Sequence, residues 1–251
     1  MNELLKKPLP TIPEKIRNQL DRSAVTCTYL NNCDVILESD ALQQEVGCSQ
    51  FPDGSWMVSM VCPMPGITKE MIDWWFWWHC QEDLRYQVWF PGDHISIKYH
   101  KKDRAYFEQP DLPPFRPNSQ CPVERIGGTT MPLRIDFVTP EQFGFTREAM
   151  ERGNIATIVC GHVSAFHGIV PHTEMAHIYR QTDDGLFLIS RFWLGKTMHP
   201  MLRKFVMTKD MARGMAEHCC VEYRNLAEIL PGLYKENLGS CDGTPKILIC
   251  N

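Results

Sequence analysis

Residues Ala212–Tyr234 read ARGMAEHCCVEYRNLAEILPGLY, and the spacing within this stretch decides the fold. Met211, Met215, Leu226 and Ile229 recur at helical intervals, and His218 and Glu222 fall in the same stripe, four residues apart. Residues at i and i+4 share a helix face, with Cβ atoms roughly 5–6 Å apart. An imidazole nitrogen and a carboxylate oxygen so placed can converge on one ion at bond lengths of about 2.0–2.2 Å. The apolar stripe is the face that points inward, and a buried carboxylate without a partner is costly. Two partners would serve: a metal ion taken by both side chains, or a core arrangement in which the histidine is satisfied locally and the glutamate meets an arginine. Thr208 is placed to cap this helix, and Pro231-Gly232 to end it.

Working back from the helix, IATIVCGHVSAFHG and MAHIYRQTDDGLFLISRFWLG form a strand meander with a hairpin turn at Asp183-Asp184-Gly185. VERIGG and PLRIDFVTP are further strands, and Thr139-Pro140-Glu141 opens a short helix. RYQVWFPGDHISIKYH reads as strand, Pro-Gly turn, strand, with His94, Ser96, Lys98 and His100 on one face and Ile95, Ile97 and Tyr99 on the other. QPDLPPFRPNSQCP (109–122) is a Pro-rich loop. Thr68 caps a helix through KEMIDWWFWWHCQED, whose Trp74, Trp75, Trp77 and Trp78 point in nearly every direction, so the helix is buried on more than one side, between subdomains or at a dimer contact. His79, at its end, is a possible ligand whose ordinary alternative is a bond to a backbone carbonyl. WMVSMVC (56–62) alternates as a strand; before it lie IPEKIRNQLD and ILESDALQQEVG, both helix-like. Antiparallel strands followed by one long amphipathic helix give an α+β fold, a curved sheet gripping the helix with ligands held between them. Three regions are expected: a small N-terminal arm or subdomain (1–50), a main domain (51–235) and a tail (236–251).

Composition narrows the function. The 251 residues carry a net charge of −4 with no Lys/Arg run longer than Lys101-Lys102, which argues against nucleic acid. No apolar run approaches the ~18 residues of a membrane span, and MNELLKKPLPTIPEKI lacks the apolar core of a secretory signal. The eleven cysteines are odd in number and show no CxxC spacing, so free thiols in a reducing, cytoplasmic setting are expected.

WWFWWH (Trp74–His79), RYQVWFPGDH (Arg85–His94), VERIGG (Val123–Gly128), PLRIDFVTPEQFGF (Pro132–Phe145), TDDGLFLISRFWLG (Thr182–Gly195) and HCCVEYRNLAEILPGLY (His218–Tyr234) together resemble the diacetylphloroglucinol hydrolase family, which includes the phloretin hydrolases. The segments span about residues 50–235 in the family's order. The resemblance implies a helix-grip domain related to the START and birch-pollen-allergen folds, a small N-terminal region that helps form a homodimer, and a zinc enzyme that hydrolyses the carbon–carbon bond between an aromatic ring and an acyl group. It implies metal ligands at His94, Glu124, His218 and Glu222, with Glu108 the competitor of Glu124. It implies proton carriers at Tyr86, His167 and His177.

A site of two imidazoles and two carboxylates suits Zn(2+), and Fe(2+) or Mn(2+) would also accept it. Such an ion polarises a carbonyl and lowers the pKa of its water toward ~7, and an acylphloroglucinol tautomer is a β-diketone whose fission resembles a retro-Claisen step. Two positions depart from the family. Where it commonly has an Asn and a Tyr that hold phenolic hydroxyls, this chain has Ile97 and Phe192, which make no such bonds. A more apolar acylphenol or polyketide-like small molecule therefore fits better than diacetylphloroglucinol. A metal-assisted lyase, isomerase or cyclase without net hydrolysis, and a non-catalytic helix-grip binding protein, are the alternatives.

Overall fold

The β-branched and aromatic residues of IATIVCGHVSA, VPHTEMAHIYRQT and GLFLISRFWL favour extended backbone, and in the computed structural model, which describes residues 1–22, 24–109 and 117–238, they form the longest neighbouring strands. Among the described residues one curved antiparallel sheet contains β1 (Gly47–Gln50), β2 (Trp56–Pro65), β3 (His94–Ser96), β4 (Ser119–Gln120), β5 (Val123–Ile126), β6 (Thr129–Val138), β7 (Ile155–Ala165), β8 (Val170–Thr182) and β9 (Gly185–Leu194). The order across it is β1-β2-β9-β8-β7-β6-β5-β3, with β4 paired to β6. The α-helices are α1 (Glu14–Arg22), α2 (Asp34–Glu38), α3 (Asp40–Gln43), α4 (Lys69–Trp78), α5 (Asp83–Gln87), α6 (Arg104–Phe107), α7 (Pro140–Phe143), α8 (Arg147–Arg152), α9 (Pro200–Val206) and α10 (Lys209–Leu238).

The expected long helix is α10. It lies across β1 and β2 and touches β5 and α4, so its apolar stripe closes the inner face of the sheet. It starts on Thr208, whose hydroxyl accepts from Met211 N at 3.2 Å, and runs through Pro231 to Leu238 rather than stopping at Pro231-Gly232. The expected tail (236–251) therefore begins inside the helix, and its remainder, like residues 110–116 of the Pro-rich loop, lies outside the described residues. α4 is capped by Thr68 as expected and buries Trp74, Trp75, Trp77 and Trp78 within this chain, Trp74 stacking on Trp78 and meeting Tyr234 edge-on. No helix among the described residues is long and apolar enough to cross a membrane. All nine described cysteines are free.

β8 and β9 are buried on both faces because the chain covers the outside of the sheet as well. Val25, Cys33, Ile36 and Leu37 pack there with Phe143, Phe145 and Ala149 against Ile178, Ile189 and Trp193. Trp193 Nε1 donates to Thr28 O at 2.7 Å, and the buried Arg191 guanidinium donates to Leu42 O, so two side chains of β9 hold the N-terminal segment in place. Trp193→Ala should lower the unfolding free energy in urea by about 3–5 kcal/mol, the cost of truncating a fully buried Trp; a loss below about 1 kcal/mol would show that the outer layer contributes little to stability.

One expected hairpin is absent. Asp83–Gln87 is helical (α5), and only His94–Ser96 of the second half pairs as a strand. The alternating face assignment fails with it. His94 pairs with Glu124 but Ser96 with Val123, a bulge between them, and both His94 and Ile97 end up buried while Ile95 is exposed. Bulges re-aim side chains in this way.

Candidate functional site

Three pieces of backbone meet at one end of the space between sheet and helix. α10 presents His218 and Glu222 from adjacent turns, β3 presents His94, and β5 presents Glu124 directly across from it. The segment leading to His94 is fastened to α10: Trp89 Nε1 donates to Glu222 O at 3.1 Å, and Asn225 Nδ2 donates to Val88 O and Trp89 O at 3.0 and 2.8 Å. Tyr86, on α5, stacks on the His94 ring at 4.0 Å between centroids, and its hydroxyl donates to Glu124 Oε1.

Ligand atoms of His94, Glu124 and His218 all lie within 4.8 Å of one another, so this group could hold a metal ion. Glu222 Oε2 stands 3.4 Å from His94 Nε2 and 3.7 Å from His218 Nε2. The 3.4 Å separation is close to the roughly 3.3 Å edge of a tetrahedron with bonds of about 2.0–2.1 Å, and Glu222 stands beside the three-residue group rather than within it. His94 Nε2 and His218 Nε2 are buried with no hydrogen-bond partner, and such atoms are costly unless something binds them. The His94, Glu124 and His218 donors therefore fit a divalent cation.

The protonation states agree. Burial pulls the His218 imidazole down to about 4 and, with the nearby His218, holds His94 well below its usual range, so both rings are neutral and able to ligate. Burial pushes the Glu124 carboxyl up to about 7 despite the Tyr86 hydrogen bond, and burial with the Glu124 charge holds Glu222 well above its usual range. Two carboxyls that resist ionisation side by side would ionise around a dication, whose charge reverses the local balance.

Glu124, His218 and Glu222 line the head of a cavity of about 370 Å³. Ile97 and Phe192 line it, as does His177, whose Nδ1 is 2.9 Å from Ser190 Oγ and whose ring packs on Tyr223 and Phe192. Burial draws the His177 imidazole down to about 3, so it is neutral.

Not every expected site residue arrives. His167 is exposed, in the left-handed region (φ 57°) of the tight turn between β7 and β8, away from the cavity lining. The reversal at Phe166-His167-Gly168 turns its ring to solvent, which corrects its expected place among the proton carriers. Glu108 is exposed beside Tyr99 and Arg104, so it does not compete with Glu124. His79 bonds Trp75 O at 2.6 Å, the ordinary alternative, although its ring also lines the cavity. Sequence reasoning missed Asn225 and a further buried cavity histidine, His172. Asn225 lies one turn beyond Glu222, and a polar residue so placed in an apolar stripe is the signal that could have found it.

A family model described as the DAPG hydrolase PhiG domain matches residues 28–235. The chain is 31% identical over 224 residues to a 2,4-diacetylphloroglucinol hydrolase of Pseudomonas protegens, covering 80% of this chain and 71% of that one. A protein of the same name from Pseudomonas sp. is likewise 31% identical over 224 residues, with 80% and 74% covered. A phloretin hydrolase of Eubacterium ramulus is 29% identical over 204 residues, covering 76% of this chain and 72% of that one.

Proposed function

The chain belongs to the DAPG hydrolase family, and from that premise we propose that it is a zinc-dependent hydrolase cleaving the carbon–carbon bond between an aromatic ring, or a β-diketone carbon, and an acyl group. His94, Glu124, His218 and Glu222 are its metal ligands. The observation that carries this reading is the set of unpartnered nitrogens of His94 and His218 facing two buried carboxyls at the head of the cavity. We read the architecture as a helix-grip domain over residues 51–235, preceded by an N-terminal arm (1–50) and followed by a tail (236–251), acting as a cytoplasmic homodimer.

In the net reaction water adds OH to the acyl carbon, the ring–acyl bond breaks, and the ring carbon takes a proton. Bound to the four ligands, the ion supplies polarisation of the acyl carbonyl and acidification of water. The protein supplies the rest. Tyr86 keeps its proton, since burial holds its hydroxyl well above the usual phenol range, and it stores that proton against Glu124. His177, neutral and oriented by Ser190, is placed to accept or return a proton at the ring. Ile97 and Phe192 close the cavity with apolar surface, so the substrate is an acylphenol or polyketide with fewer hydroxyls than diacetylphloroglucinol. The same two residues favour, as a second reading, a metal-assisted lyase, isomerisation or cyclisation with no net hydrolysis.

Elemental analysis of purified protein together with acid release tests the proposal. One zinc per chain and carboxylate released from 2,4-dihydroxyacetophenone are expected. Metal without acid release would favour the second reading; no stoichiometric metal would leave a non-catalytic ligand-binding protein. The double substitution Ile97→Asn, Phe192→Tyr should raise kcat/KM for 2,4-diacetylphloroglucinol by at least about tenfold, because a site built to bond a hydroxyl discriminates strongly. An unchanged ratio between the two substrates would remove these residues from substrate choice.

A further inference from the structure

The far end of the cavity holds a polar group with no part in the chemistry above. His172 is 4% exposed, and its ring lines the cavity. Its Nδ1 lies 2.6 Å from Thr173 Oγ1, which sets the tilt of the ring, while its Nε2 is buried without a partner. Strict alternation would send His172 and Thr173 to opposite faces of β8. Yet Val163 pairs with Thr173 while Ser164 pairs with Pro171, so His172 is the extra residue of a β-bulge, and both side chains reach the cavity. Bulges beside binding sites re-aim side chains. The His172 carbonyl accepts from Gly195 N at 2.7 Å, so the bulge is held from the β9 side.

This end is remote from the metal ligands. Along β8, His172 precedes His177 by five residues, about 16 Å at the usual rise. Along α10, Thr208 at the same end of the cavity precedes His218 by ten residues, about 15 Å. Met175, Met211 and Met215 line the space between. The cavity thus has a charged head, a pliant apolar middle and a polar far end, where the exposed Thr208 and Asp210 also line the wall; burial pulls the His172 imidazole down to about 4.

We propose that His172 is a specificity-determining residue that hydrogen-bonds a hydroxyl or carbonyl carried on the acyl or aryl substituent about 10 Å from the scissile bond, once the reach of the side chains at both ends is subtracted from the backbone spacing. The proposal rests on the acyl-ketone reading of the head of the cavity. It names the substrates as elongated ketones with a polar far end.

Binding of alkyl phenones to the metal-loaded protein tests it, read by quenching of tryptophan fluorescence. The probes are phenones with a terminal hydroxyl on chains of four to ten carbons, each paired with an isosteric phenone ending in methyl. The hydroxyl preference should pass through a maximum with chain length, and at that length it should fall about tenfold in His172→Leu, the loss of one buried hydrogen bond. His172→Gln, which keeps a donor and an acceptor, should retain most of it. A preference independent of chain length, or one equal within twofold in parent and His172→Leu, overturns the proposal. Should His172→Leu fail to fold, the length dependence in the parent decides alone. Acid release from 2,4-dihydroxyacetophenone, too short to reach His172, reports separately on the head of the cavity, so failure of one reading leaves the other measurable.

Discussion

His218→Ala should purify without stoichiometric metal and lose at least about a thousandfold in kcat for acid release, roughly 4 kcal/mol of barrier. The size follows from the helix. His218 contributes one of two imidazoles, and its buried Nε2 has no hydrogen-bond partner in the protein. Removing it leaves one imidazole and two carboxylates, one donor short of the four proposed to hold the ion. Glu222→Gln should act similarly, since an amide keeps the volume but not the charge. Neither change should unfold the protein, because the buried stripe of Leu226, Ile229 and Leu230 still docks α10. Equilibrium dialysis against zinc gives the affinity, and circular dichroism the fold. A His218→Ala protein that holds one zinc per chain and turns over at the parental rate would refute the ligand assignment.

That pair was legible from spacing alone, because an i, i+4 geometry is local and a helix of this length keeps it. The curved sheet and the meander were legible for a similarly local reason, runs of β-branched and aromatic residues broken by turn residues at Asp183-Asp184-Gly185. What escaped was set by tertiary packing. Tyr86, Val88, Trp89 and Phe90 have strand-forming side chains, yet Asp83–Gln87 coils into α5, where Tyr86 meets both His94 and Glu124. Ile97 and His172 reach the cavity through bulges, and a bulge is a property of the pairing between two strands that neither sequence announces by itself. The continuation of α10 past Pro231 was hidden because proline usually ends a helix; here Leu230 and Leu233 are buried on either side of it and hold the helix in line. Glu124 stood out through its family resemblance, and its geometry depends on a contact that no local pattern contains.

That contact gives the second large effect. The turn joining β5 to β6 uses Gly127 and Gly128 with φ of +56° and +82°, a conformation that L side chains rarely adopt. It rests on α10 at Gly214, where a Cβ would come 2.8 Å from Gly127 Cα and 3.2 Å from its nitrogen. Glycine inside a helix costs about 1 kcal/mol relative to alanine, so close approach of the two backbones is what the residue provides. Glu124 sits on β5, three residues before Gly127 of the turn, and Gly214 lies one turn before His218. Gly214→Val would push the turn away from the helix and carry the Glu124 carboxylate with it, separating ligands that lie on different elements. Zinc affinity should fall about 10–100-fold, as when the support of a ligand is lost, and kcat by about a hundredfold for a displacement near 1 Å. Gly232 supplies the control: it lies in the same helix with nothing within 4 Å of its missing Cβ, so Gly232→Ala should leave zinc affinity unchanged and raise stability slightly. Parental zinc affinity in a folded Gly214→Val protein would show that the turn follows the helix without displacing Glu124.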